Sequence, residues 1–236
     1  MYEWDFDGDT EYDLASTESV ATHAFGQPGA YNVVLRVTDA LGGQTTSDPV
    51  AVTVTNRAPI AGFTASEMVA SNDEIVSFAS HAFDADGEIT AWIWDFGDGT
   101  TSPESDPAHT YDRAGTYVVT LTVIDDCNER SRLVSITIVV ENTLPVATLS
   151  ADCRVLATGE TIRFLDESYD ASSSGRIVYI AWDFDDGTYV AGSPNEDGVY
   201  PHTYSDPGLY SVVLYVIDSE RGMSTAHLLL TVETQS

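Results

Sequence analysis

Aspartate, glycine and histidine recur in this chain at spacings that could serve chemistry. Three segments read WDFDGDT (residues 4–10), WDFGDGT (94–100) and WDFDDGT (182–188). Downstream of each, a histidine stands two residues before an aromatic ring: His23–Phe25, His109–Tyr111 and His202–Tyr204. Clustered carboxylates could hold a hard cation, and a histidine beside an aspartate could act as a general base. An EF-hand loop would place acids at its first, third and fifth positions, glycine at the sixth and glutamate at the twelfth. Counted from Asp5, the acids Asp7 and Asp9 fit, but Thr10 falls where glycine should stand and Ser16 where glutamate should. Glycine and aspartate also exchange places between copies, which a turn tolerates better than a coordination shell. Glycine supplies positive φ, and aspartate bonds its own backbone. The stretch is therefore expected to be the turn that ends a strand. Serine-elbow, zinc-helix and phosphate-loop motifs are missing from the sequence. The histidines are expected to brace a loop, and the chain is not expected to be an enzyme.

The elements that position these residues follow from periodicity. In 117–123, Tyr117, Val119, Leu121 and Val123 alternate with Val118, Thr120 and Thr122, the pattern of a strand with one buried face. Trp92, Trp94 and Phe96 share a face in the same way. Further strands are expected at 133–140, 75–80 and 59–66. The sequences GAYNVVLRVTD (29–39), GTYVVTLTVID (115–125) and GLYSVVLYVID (208–218) repeat in step with the WDF segments. Short strands divided by Gly, Pro, Asn and Asp, with no amphipathic helix, indicate β-sandwiches. The Gly-x-Tyr that opens each long strand suggests a tyrosine corner.

W-D-F-G-D-G-T, then H-x-Y, then G-x-Y-x-V-x-L-x-V-x-D resembles the polycystic kidney disease (PKD) domain family, in three copies covering almost the whole chain. The resemblance implies an all-β chain of tandem immunoglobulin-like sandwiches. The expected divisions are 1–55, a partial domain lacking its first strands, then 56–141 and 142–236. Met1 is expected to be the start of a fragment, and the first repeat to leave an unpaired edge and an uncovered apolar face. The function the resemblance implies is a non-catalytic spacer or adhesion rod of a larger cell-surface protein, contacting an extracellular protein or polysaccharide. The other reading is the accessory substrate-binding region of a secreted hydrolase (protease, collagenase or chitinase) whose catalytic domain lies elsewhere. Either reading places the chain outside the cell or on its surface.

Charge narrows the partners. The 236 residues carry a formal net charge of -29, and all nine basic residues are arginines. Nucleic acid and acidic membranes would be repelled, whereas cations would be drawn in. A salt-adapted source or a calcium-rich surface would each account for the acidity. No apolar run is long enough to span a membrane, and the first residues show no signal peptide. Cys127 and Cys153 lie in different repeats and are expected to be free or to pair between molecules.

The candidate metal site is at a joint. In this topology the incoming linker, the B–C loop and the F–G loop meet at one end of the sandwich. In the second repeat they bring Asn56, Asp84, Asp86, Asp125 and Asp126, an oxygen set suited to Ca²⁺. The resemblance adds that some collagenase-linked members hold calcium at the joint and B–C loop, which carries over to Asn56, Asp84 and Asp86. The third repeat keeps Asn142 and Asp170 but has serine for the second acid, so its site should be weaker or absent. The proline-bearing joints themselves are expected to be stiff.

The candidate contact surface is in the third repeat. Strand parity points Tyr179 and Tyr215 outward, where an aromatic pair could serve a ligand or merely stabilise the sheet. The segment 189–204 is longer than its counterpart and reads as an exposed excursion, so Tyr189 and Tyr200 are expected to extend that surface.

Overall fold

The computed structural model describes residues 1–235. It is a tandem array of immunoglobulin-like sandwiches, with no helix among the described residues and hence none able to cross a membrane.

The second repeat shows the plan. One sheet runs Thr101–Ser102, Ile89–Asp95, Gly115–Asp125, Val134–Glu141, Val69–Ser71, the last pair being parallel. A three-stranded sheet of Ala108–Thr110, Ile75–Ser80 and Phe63–Ala65 covers it. The alternation in 117–123 does what it predicted: Val119, Leu121 and Val123 are fully buried, and Val118 is exposed. Trp94 and Phe96 enter the same core from the neighbouring strand and meet Val76 and Phe78 from the opposite sheet. Trp92 sits at the margin, half-buried, and donates its indole N–H to the Ser80 hydroxyl at 3.1 Å. The 59–66 segment is less regular than expected: only Phe63–Ala65 is strand, and Ile60 makes an isolated bridge to Phe83.

The third repeat copies this plan, with Trp182, Phe184, Val212, Leu214 and Val216 buried at the equivalent positions. The 189–204 segment departs from expectation. It is not an excursion but two further strands, Tyr189–Gly192 on Ile177–Asp183 and Val199–Thr203 on Thr161–Asp166. Only the short link between them, at 193–198, leaves the sheets. Tyr200 consequently lies 4% exposed, with its ring 5.2 Å from that of Trp182. Placing it on the contact surface was wrong, because Tyr200 belongs to the inward row of its new strand.

The first repeat consists of a single sheet. Tyr2–Asp5 lies between Leu14–Ser16 and Gly29–Thr38, and the latter also pairs with Gln44–Thr46 and Val50–Val54. Among the described residues no second sheet covers it. Trp4, Val33, Leu35 and Val37 stay half-buried where their counterparts are fully enclosed, and Phe6 is the one buried apolar side chain among them.

The tyrosine corners are present in all three repeats. Tyr31, Tyr117 and Tyr210 each donate a phenolic hydrogen bond to the carbonyl four residues upstream, on Gln27, Arg113 and Asp206, at 2.7–2.8 Å. Both cysteines are free.

Candidate functional site

The repeated acidic segment is a turn. In the second repeat Gly97 and Gly99 take positive φ, the Asp95 carboxylate accepts the Gly97 amide, and Asp98 accepts the amide and hydroxyl of Thr100. The third repeat repeats this at Asp185 and Gly187. In the first repeat the positive-φ pair moves one place along, to Gly8 and Thr10. Asp5 then turns inward and accepts the amides of both. Asp5, Asp7 and Asp13 bring carboxylate oxygens within 4.8 Å of one another. Both oxygens of Asp5 are already engaged by those amides, and Asp13 accepts the Phe6 amide, which makes the cluster the anchor of the turn.

The histidines fasten these turns to the sandwich. His109 Nε2 is 2.6 Å from Asp98 Oδ2, and His202 Nε2 is 2.7 Å from Asp186 Oδ2. An ionised carboxylate only accepts, so Nε2 carries the proton. Each imidazole stacks flat on a WDF phenyl ring, 4.2 Å from Phe96 and 4.0 Å from Phe184, and meets a buried tyrosine edge-on. Partial burial opposes the charge of Asp98, but the Thr100 and His109 hydrogen bonds outweigh it and hold its carboxyl below the usual aspartate range. Asp186 is lowered against burial by Thr188 and His202 in the same way. Burial pushes the Tyr111 and Tyr204 phenols up. Their hydroxyls donate to the carbonyls of Phe96 and Phe184. The histidine–aspartate pairs are braces within a packed stack.

The joint end of the second repeat is different. The linker and the B–C loop meet here, the Arg57 amide donating to Asp86 and the Asp86 amide to Asp84, while Asn56 Oδ1, Asp84 Oδ2 and Asp86 Oδ1 are buried oxygens without a hydrogen-bond partner. Asp84 is only 8% exposed. Buried polar atoms are almost always paired, and an unpaired one is expensive. Gly87 lines the same space: a Cβ there would collide with the carboxylates of Asp126 and Asp84. Three unpartnered oxygens, the further carboxylate of Asp126 and a glycine cradle would suit a hard cation with several oxygen ligands. Asp125 has another task. Its two oxygens take the Asn56 side-chain amide at 2.8 Å and the Glu129 backbone amide at 2.8 Å, so it orients the asparagine and closes the F–G turn. Those bonds outweigh desolvation and keep its carboxyl below the usual range. In the third repeat Asp218 holds Asn142 in the same manner. There Asn142 Oδ1 and Asp170 Oδ2 are the unpartnered atoms, and Ser172 donates to Asp170 instead of adding a carboxylate.

The outer face of the third repeat presents Tyr189 at 78% exposure, Tyr179 at 41% and Tyr215 at 38%. Tyr215 lies directly across from Ala181, and Tyr179 across from Ile217, so the two tyrosines are diagonal neighbours. Tyr189 and Tyr215 flank Ala181 and Asp183 in a shallow depression of about 320 Å³. Sequence reasoning missed a second depression, about 410 Å³, between Ala58–Ala61 and the side chains of Arg130, Arg132 and Val134. Two arginines close together in a chain so poor in cations were the available signal.

Fold and turns together define repeated immunoglobulin-like sandwiches with an aromatic WDF core. Comparison with known families matches the PKD domain at residues 1–54, 56–140 and 142–232. The chain belongs to the PKD domain family. It is 31% identical over 175 residues to the pre-pro-metalloprotease PrtV of Vibrio cholerae, an alignment that takes in 74% of this chain and 17% of that protein. It is 51% identical over 49 residues to collagenase ColQ1 of Bacillus cereus, 21% of this chain and 5% of the collagenase. The chain thus spans less than a fifth of the length of these relatives. Among solved structures, the PKD1 domain of Vibrio anguillarum Epp is 38% identical, covering 37% of this chain and 99% of that one at a TM-score of 0.34.

Proposed function

We propose that the chain is a non-catalytic accessory region that acts outside the cell beside a hydrolase, spacing its catalytic domain from a substrate and contacting that substrate. The relation to a metalloprotease and to collagenases carries this reading, since their PKD segments are what the chain resembles. The histidines, which could have served catalysis, are tied into the aromatic stacks. In this reading the Tyr179, Tyr189 and Tyr215 face touches an extracellular protein or polysaccharide, and Ca²⁺ sits at the joint end among Asn56, Asp84 and Asp86. The ion would neutralise carboxylates that otherwise repel one another and tie the linker to the B–C loop. Binding of the chain to fibrillar collagen and to insoluble polysaccharides tests this. The wild type should be retained by one class, and a Tyr189→Ala, Tyr215→Ala variant released from it. Equal retention of both proteins would refute the contact face.

A second reading, a spacer rod of a cell-surface protein, is favoured by the polar contacts between the second and third repeats. The coding sequence on either side would distinguish the two: an adjoining hydrolase domain supports the first, further repeats and an anchor the second.

A further inference from the structure

The two joints of this chain are built differently. Among the described residues no hydrogen bond runs from residues 1–55 to residues 58–141. Between the second and third repeats, three separate segments of the third repeat grip two turns of the second. Ser173 donates its hydroxyl to Asp73 at 2.6 Å and its amide to the same carboxylate. Ser174 donates its hydroxyl to the Asp112 carbonyl. The Glu220 carboxylate accepts the Ala114 amide at 3.2 Å, and the Asn72 side-chain amide at the outer limit of 3.5 Å. Asn72 Oδ1 accepts the Thr143 amide at 2.8 Å.

Both halves of this contact are held by hydrogen bonds within their own repeats. The Asn72 backbone amide donates to the Glu141 carbonyl, and the Asp73 amide to the Tyr111 carbonyl. On the other side Asp218 accepts the amides of Glu220 and Gly222, and Asp170 accepts the amide and hydroxyl of Ser172. Pre-ordered partners lose little entropy on docking. Asp73 also holds φ at +67°, a left-handed conformation that glycine adopts more readily. The equivalent residue of the third repeat is Gly159, at φ +85°. An aspartate kept in that conformation has its explanation in Ser173.

The contact is specific to this pair. At the top of the second repeat, Cys127 stands where Glu220 does, and the B–C loop is shorter by two residues, without the serines. At the base of the third repeat, Thr158 and Gly159 replace Asn72 and Asp73. We propose that the second and third repeats move as one rigid body, locked by this serine–carboxylate key, while the first repeat is not held in that way. Anchors from three segments of the third repeat on two turns of the second oppose rotation between them. This deepens the spacer role by placing a rigid element within it. The key uses none of the unpartnered cluster oxygens, so it needs no cation.

Residual dipolar couplings of backbone amides in the full chain test the proposal. Wild-type residues 58–140 and 144–232 should fit a single alignment tensor, in chelator and in calcium alike. An Asp73→Gly, Glu220→Ser variant should need two different tensors. Asp73→Gly suits its backbone, since glycine already occupies the equivalent position 159, and unchanged core amide shifts will verify folding of the variant. Two tensors in the wild type, one tensor only when calcium is added, or one tensor surviving in the variant would each overturn the proposal. The cation reading stands or falls separately, on calcium binding.

Discussion

His109 lies flat on Phe96, ring centroids 4.2 Å apart, while its Nε2 reaches Asp98 at 2.6 Å. One imidazole thereby joins the hydrophobic core to the acidic turn, and His202 does the same with Phe184 and Asp186. The first repeat lacks the bond: Gly8 occupies the place of Asp98, and His23 stacks on Phe6 without a carboxylate partner.

Asp98→Ala should lower stability of the second repeat by about 1–2 kcal/mol, the range for a charge-assisted hydrogen bond on a partly exposed group. The folded-state pKa of Asp98 is depressed, so its contribution is fully present above the ordinary aspartate range, near ~3.9. It is lost as pH falls through the lowered value. Thermal melts of the wild type and variant should differ above the ordinary aspartate range and converge as pH falls through and below it.

Trp94→Ala should cost about 3–5 kcal/mol, because the indole is fully enclosed and its N–H donates to the Glu104 carbonyl. Trp4→Ala, in the uncovered sheet, should cost less than half of that. Chemical denaturation followed by tryptophan fluorescence measures both.

Tyr117→Phe removes the corner hydrogen bond to Arg113 while keeping the ring against Tyr111, 4.3 Å between centroids. The expected loss is about 1 kcal/mol, read from the midpoint of urea unfolding with an unchanged slope.

Much of this arrangement was legible in the residues. Alternation at 117–123 names the inward row because a strand's side chains change face at every step, and a packed core accepts only one face. The shuffled order of Gly and Asp marked a turn, though not that the turn would shift to Gly8 and Thr10 in the first repeat. That shift depends on where a glycine is available for positive φ. Tyr200 was misplaced because glycine and proline density resembles a loop, whereas pairing with Thr161–Asp166 is decided by a strand far away in sequence. The grip of Ser173 on Asp73 was invisible for the same reason: it joins residues 100 apart. At the joint, composition suggested five oxygen donors. Only the coordinates distinguish Asp125, bonded through both oxygens, from Asp84, whose buried oxygen has no partner.

Calcium added in large excess over its dissociation constant should raise the melting temperature of the second repeat, with about 2.7 kcal/mol expected at a hundredfold excess. A chelator should reverse the shift.

The central claim is that the chain's open coordination chemistry lies at the joint and not in the repeated WDF turn. Calorimetric titration of Ca²⁺ into the wild type, Asp84→Ala and Asp98→Ala tests it most directly. The account predicts binding by the wild type, at least tenfold weaker binding by Asp84→Ala, and unchanged affinity in Asp98→Ala. Absence of binding in the wild type, or its loss in Asp98→Ala with Asp84→Ala unaffected, would contradict it.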